Sequence, residues 1–311
     1  MTDITRVSLV ILTYNRPHLI PKQLERFATI TYPEFELIIV DNHSDQLLTD
    51  MVKPYPFARL LRMPENLGVA GRNRGIAAAR GEIVITLDDD VTGISDQDIN
   101  YLVTLFRKDT TGAVCFKVLD EVTGEVINWC HHRKRELYSD QVFITDEITE
   151  GAVAFRRHVV MQAGLYPEEF FISHEGPDLA LRIMNCGYDV IYDPAITVLH
   201  SHAIAGRPGW RRYYYDTRNQ IWLVLRNHHL WRGTRMLVIG LGSMLVYSLR
   251  DGFLRYWLKG VIDGIQGSRK MLAQRIPVNS RTQKILDEID RYRPDMWYMI
   301  KKRLLTKKVR I

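Results

Sequence analysis

The sequence predicts an α/β protein: a doubly wound, mostly parallel sheet followed by a helical C-terminal extension that is both basic and apolar. Three observations point there. Four short runs rich in Val and Ile occupy residues 7–12, 35–40, 58–63 and 82–87, and near-continuous apolar runs of that length suit strands buried on both faces. Helical patterns at 17–29, 45–53 and 70–80 alternate with them, giving the βαβ order of a parallel sheet. Beyond residue 210 the chain turns to Arg, Tyr and Trp set between long apolar stretches.

Later elements follow in order: a strand at 152–155, a helix at 158–163, a second helix at 178–186, and strands at 188–191 and 196–200. With 311 residues, 46% hydrophobic and 25% charged, the chain is ordinary globular material, which excludes collagenous and disordered classes. Cys115, Cys130 and Cys186 lie far apart without CxxC spacing, so neither a disulfide framework nor a zinc ribbon is expected. The N-terminal stretch does not read as a signal peptide, and the expected setting is intracellular. Charge is divided unevenly. Residues 1–200 hold 19 basic and 29 acidic side chains, residues 201–311 hold 23 and 7, so the last third is expected to face something anionic.

In an open α/β sheet the ligand crevice lies outside the carboxyl ends of the strands. Those ends read Thr13-Tyr14-Asn15-Arg16, Asp41-Asn42-His43-Ser44, Pro64 to Gly68, and Asp88-Asp89-Asp90, each polar and suited to a nucleotide. Three adjacent acids repel one another unless a cation is present, and hard oxygen ligands suit Mg²⁺ or Mn²⁺ held jointly with substrate phosphates. The NLGVAGRNRG run at 66–75 opens a helix with glycines and with Arg72 and Arg74, a fit place for a diphosphate. It is neither GxGxxG nor a P-loop.

The runs VSLVILTYNR at 7–16, IIVDNHS at 38–44, NLGVAGRNRG at 66–75 and LDDD at 87–90 resemble family 2 glycosyltransferases of the GT-A fold, and the resemblance extends over about the first 230 residues. It implies an inverting, metal-dependent transferase using a nucleoside diphosphate sugar, UDP- or dTDP-linked. Thr13 and Asp41 would hold the base, with Asn15 and Arg16 beside them. Asn66, Gly68 and Arg72 would line the nucleotide and diphosphate. Asp88, Asp89 and Asp90 would form the DXD motif, with Asp88 towards the ribose, Asp90 on the metal and His200 near it.

Such a transfer needs a general base for the acceptor hydroxyl. FFISHEGPDLALR at 170–182 is similar to the family's acidic stretch, usually Glu-Asp-x-Asp with the second acid as base; here that position is Gly176. Glu175 and Asp178 remain. Asp178 begins the helical pattern and so suits an N-cap, whereas Glu175 sits in a Gly-Pro loop, which favours Glu175. His174 reads as a neighbouring contact. His202, two residues beyond His200, could take its place, and Arg207, Arg211 and Arg212 could close over the diphosphate.

Trp129-Cys130-His131-His132 invites a metal reading, rejected because adjacent histidines point apart. The run Tyr213-Tyr214-Tyr215 near Arg218 and Asn219 suits either stacking on a ligand or plain packing. Residues 236–249 are uncharged but too short to span a bilayer, and Trp231, Arg232, Arg235, Arg250, Arg255, Tyr256, Trp257 and Lys259 flank them. With the basic run 301–311, this suits a helix in an anionic membrane interface rather than nucleic acid. The expected organisation is a catalytic domain at 1–227, with a nucleotide half at 1–100 and an acceptor half at 101–227, then a membrane-associating region at 228–311. The acceptor would be a glycan or glycolipid at the cytoplasmic face, in cell-surface polysaccharide synthesis. Two other readings stand beside it. A sugar nucleotidyltransferase should carry a Gly-rich, Lys-bearing loop after the first strand, and none is present; an inactive glycan-binding scaffold would explain Gly176.

Overall fold

The structure is a computed structural model that describes residues 4–201, 209–295, 297–298 and 301. His202, Arg207 and most of the basic run at 301–311 lie outside the described residues. The elements in order are β1 (Val7–Thr13), α1 (Ile20–Phe27), β2 (Phe35–Asp41), α2 (Thr49–Val52), β3 (Ala58–Arg62), α3 (Arg72–Ala78), β4 (Ile83–Asp88), β5 (Val91–Thr92), α4 (Asp96–Phe106) and β6 (Thr111–Asp120). There follow α5 (Arg135–Tyr138), β7 (Phe143–Ile144), β8 (Ala152–Arg156), α6 (Arg157–Gln162), α7 (Glu175–Asn185), β9 (Asp189–His200), α8 (Trp210–Asn227), α9 (Leu230–Asp251), α10 (Leu254–Ala273) and α11 (Ser280–Asp290).

One sheet runs in the order β3-β2-β1-β4-β8-β6-β9-β5, with β7 paired to β9. The first four strands are parallel, β8 is antiparallel to both β4 and β6, and β9 runs parallel to β6. Alternate residues explain why β1 and β2 read as unbroken apolar runs. Leu9, Ile11 and Ile39 pack beneath α1 and α4, while Val10, Ile38 and Val40 face the other way, towards α3 and α7. Both faces are buried, so polar residues appear only where the strands end.

Several boundaries differ from expectation. The run at 188–200 is one strand with a register shift against β6 rather than two strands. Of the helix expected at 45–53, only a single turn forms. Helix α7 begins at Glu175, not Asp178, since Pro is tolerated in a first turn whose N–H groups have no intrahelical partner.

The C-terminal helices are built into the body of the protein. Leu181 of α7 and Phe170 share a core with Ile221, Trp222 and Leu223 of α8, Met271 of α10, and Leu286 and Ile289 of α11. Burying a side chain such as Leu286, wholly enclosed here, is worth about 1.5–3 kcal/mol. Among the described residues no helix is long and apolar enough to cross a membrane.

Candidate active site at the ends of the parallel strands

Strand register assembles the site. Thr13 lies opposite Asp41 and Leu12 opposite Asp88, so three strand ends open on one edge. Thr13 Oγ1 donates to Asp89 Oδ2 at 2.7 Å, and Arg16 Nη1 reaches Asp89 Oδ1 at 2.9 Å and Asp90 Oδ2 at 2.6 Å. Burial pushes the Asp89 carboxyl up to about 6, against the pull of Thr13 and Arg16. Asp90 is also buried, but the His200 hydrogen bond and charge, with Arg16, outweigh that and hold it below the usual carboxylate range.

Asp88, Asp90 and His200 each offer one donor atom, and these atoms lie within 4.8 Å of one another. Antiparallel pairing of β5 with β9 brings His200 there, opposite Val91. Two carboxylates and an imidazole are a donor set that fits a divalent cation such as Mn²⁺. Among the described residues this is the sole grouping of three or more such side chains. His131 and His132 diverge, as expected of neighbours. His131 sits against Trp129, Phe143 and Tyr192, while His132 Nδ1 lies 2.9 Å from Asp146.

The nucleotide side is a linked set of loops. Asp41 is wholly buried, accepting from Ser44 N at 2.8 Å and Arg62 at 2.6 Å. Asn15, at φ 54°, bonds Ser44 Oγ through its N–H and exchanges side-chain bonds with Asp45. Asn42 Nδ2 donates to Asn66 Oδ1 and to Gly68 O, both at 2.9 Å, and Asn42 Oδ1 accepts from Leu67 N. Gly68 has φ +61°, and a Cβ there would stand 2.0 Å from Phe171 O, so both backbone shape and space require glycine.

Arg72 is placed differently from expectation. Its side chain is 3% exposed and paired with Asp88, turned under the strand end rather than out towards a diphosphate. The cause is charge: this guanidinium pairs with Asp88, with Glu175 also acting on it, and a buried cation is retained where anions meet it.

The two candidate bases also separate. Asp178 is fully buried, with Arg182 at 2.6 Å, Arg226 at 2.8 Å and Asn227 at 2.6 Å on its two oxygens. That is a structural ion-pair core tying α7 to α8, and it corrects the expectation of a helix-capping or catalytic carboxylate. Glu175, the first residue of α7, lies instead beside Glu150 and Arg72. A Cβ at Gly176 would stand 2.8 Å from Glu150 Oε1, so the volume of a side chain at this position is taken by another carboxylate. Burial and the Glu175 charge push the Glu150 carboxyl well above its usual range. Sequence reasoning missed Glu150: it precedes Gly151 outside every motif, and only the pairing of β8 with β4 brings it to Asp88. Also missed was the role of α8, whose Arg218 and Asn219 bond the segment leading to Glu175.

Comparison with known proteins agrees with this geometry. Residues 8–161 match the family model described as Glycosyl transferase family 2. The chain is 23% identical over 225 residues to the O-antigen chain rhamnosyltransferase RfbN of Salmonella typhimurium, covering 67% of this chain and 70% of that protein. It is 25% identical over 294 residues to the dTDP-rhamnosyl transferase RfbF of Shigella flexneri, covering 85% and 96%. Among solved structures, S. aureus TarS 1–349 in complex with UDP-GlcNAc superposes with a TM-score of 0.60 at 17% identity, over 92% of this chain and 89% of that one. The mannosyltransferase PcManGT from Pyrobaculum calidifontis, in complex with GDP-Man and Mn²⁺, gives 0.55 at 18% identity, over 99% and 82%. Residues 8–161 therefore form a glycosyl transferase family 2 domain, and the chain has the GT-A fold and resembles rhamnosyltransferases.

Proposed function

We propose that the protein transfers a sugar, with inversion, from a nucleoside diphosphate donor to a hydroxyl of a glycan or glycolipid in cell-surface polysaccharide synthesis. The observation carrying this reading is the convergence of Asp88, Asp90 and His200 at the strand ends, on the edge reached by Thr13 and Asp41 and near Glu175. A dTDP-linked donor is favoured over a UDP-linked one by the likeness to dTDP-rhamnosyl transferase. Thr13, Asn15, Arg16, Asp41, Asn66 and Gly68 form the nucleotide side. Arg16 and Thr13 fix Asp89 so that its neighbours keep their directions. Glu175 receives the acceptor proton, and Asp178 holds α7 in register.

Asp88, Asp90 and His200 would hold Mn²⁺ or Mg²⁺, which would neutralise charge developing on the leaving diphosphate. The protein's own share is to bind the nucleotide, orient the acids and keep Glu175 out of bulk water.

Residues 1–227 are taken as the catalytic unit, and the helices after them as the part that meets an anionic membrane at its cytoplasmic face. Supporting this, Trp231, Val238, Ile239, Val246 and Leu249 stand exposed along α9 at helical spacing, with Arg235 and Arg250 among them. Exposed apolar side chains in such a stripe mark an interaction surface.

The deciding experiment incubates the full chain with Mn²⁺ and a panel of dTDP- and UDP-sugars, without acceptor. Slow release of dTDP or UDP supports a transferase. Its absence with every donor, together with retained glycan binding, would favour a glycan-binding scaffold.

A further inference from the structure

All five carbonyls from Glu169 to Ser173 are met by groups from other elements. Arg218 Nη2 donates to Glu169 O at 3.0 Å and to Phe170 O at 2.9 Å. Asn219 Nδ2 lies 2.9 Å from Phe170 O and 2.7 Å from both Ile172 O and Ser173 O. Val69 N donates to Phe171 O at 2.8 Å. Two consecutive residues of α8 and one of the nucleotide loop thus gather the whole segment.

The segment needs such support. Phe171 sits at φ 63°, ψ −56°, and Ile172 N bonds back to Phe170 O at 2.7 Å, the rare and strained γ-turn of positive φ. Ser173 at φ 77° and His174 at φ 63° are also in the left-handed region. Non-glycine residues persist there only where their surroundings over-determine them, and such strain clusters at functional sites. Asn219 is wholly buried, and its Oδ1 accepts from Arg218 Nε at 2.9 Å, so its entire amide is committed. Ser173 Oγ adds a bond to Asp216 Oδ1 at 2.5 Å.

Both ends of this segment reach the site. Phe171 O fills the space beside Gly68, and His174 leads directly into Glu175. We infer that Asn219 is a positioning residue for the reaction: by gathering the carbonyls of Phe170, Ile172 and Ser173 it holds the strained segment, and with it the nucleotide loop at Gly68 and the acid at Glu175. The inference rests on the reading of Glu175 as proton acceptor.

Three variants of the full chain test it: Asn219→Ala, Ser173→Ala, which removes one part-buried bond of the same clamp, and Glu175→Gln. Backbone hydrogen exchange is followed alongside dTDP release from dTDP-rhamnose with Mn²⁺ and dTDP affinity. In Asn219→Ala, exchange should speed up by about tenfold in peptides spanning 66–72 and 165–176 while β1 and β2 stay protected. Turnover should fall by about a hundredfold, with dTDP affinity changed only a few fold, and Ser173→Ala should move the same way by less. Unchanged exchange at 165–176 would overturn the inference. So would general loss of protection in Asn219→Ala with Ser173→Ala indistinguishable from wild type. If Glu175→Gln turns over normally while Asn219→Ala is impaired, the acceptor reading fails and the clamp stands; the converse keeps Glu175 and removes the clamp.

Discussion

His200 Nε2 stands 3.1 Å from Asp90 Oδ1. Its other ring nitrogen lies 3.1 Å from the Asn128 side-chain amide. Although burial opposes it, the Asp90 and Asp88 carboxylates make this imidazole hold a proton more tightly than a free one. A cation must displace the proton that makes the ring an imidazolium, so metal affinity should fall as pH drops. Asp90→Asn should cut dTDP release by at least about a hundredfold while leaving the fold intact, because the residue lies in the turn between β4 and β5 rather than in the apolar core. In thermal-shift measurements Mn²⁺ with dTDP should stabilise the wild type and not this variant. Full activity of Asp90→Asn, or of the wild type in EDTA, would contradict the assignment.

Glu175 and Asp178 should respond in opposite ways to loss of charge. Glu175→Gln should lower turnover by roughly a hundredfold with little change in melting temperature. Asp178→Asn removes the carboxylate shared by Arg182 and Arg226 and should cost about 3 kcal/mol or more in stability. A stable but inactive Asp178→Asn would reverse the two roles.

Acid sensitivity should trace partly to His131. Burial pushes this imidazole down to about 3, below the usual value of about 6.5, so the unfolded chain takes up the proton first. The stability from this group is complete above about pH 6.5 and is lost as pH falls towards 3, at up to about 1.4 kcal/mol per pH unit. His228, held down to about 4 chiefly by burial, acts in the same direction. The melting temperature of His131→Phe should therefore fall less steeply than that of wild type between pH 6.5 and 4.5. Parallel curves would show that His131 is not buried neutral.

Membrane contact should depend on α9. Val238→Asp with Ile239→Asp should reduce binding to anionic vesicles, leaving dTDP release in solution unchanged. Salt should weaken wild-type binding without abolishing it, since screening removes only the charge contribution. Equal vesicle binding by variant and wild type would remove α9 from the contact. Truncation after Asn227 is unsuitable for this purpose, because Met271, Leu286 and Ile289 share a core with α7 and α8.

Legibility followed physical locality. Strands β1 and β2 were readable because burial on both faces writes itself into consecutive residues, and the strand-end acids because polarity resumes where burial stops. The start of α7 was misread, since a Gly-Pro pair looks like a loop although Pro177 fits a first helical turn. Arg72 and Asp178 were legible as charges but not as buried ones, because their partners at Asp88, Arg182 and Arg226 are fixed by packing. Glu150 gave no signal, and Asn219 reads from the sequence only as a neighbour of the tyrosine run, since each acts on residues distant in sequence.

Strand β5, only two residues long, carries an unexpected burden. Thr92 and Leu199, joined across β5 and β9, are 107 residues apart, and Asp90 and His200 flank that pairing. Contacts of such sequence separation close late, after the entropy of the intervening loop has been overcome. No fragment ending before β9 can bring Asp90 and His200 together, whatever nucleotide its first strands retain. A cation held there would report a chain made at least as far as His200, and a ribosome still threading residue 190 would have nothing to offer it.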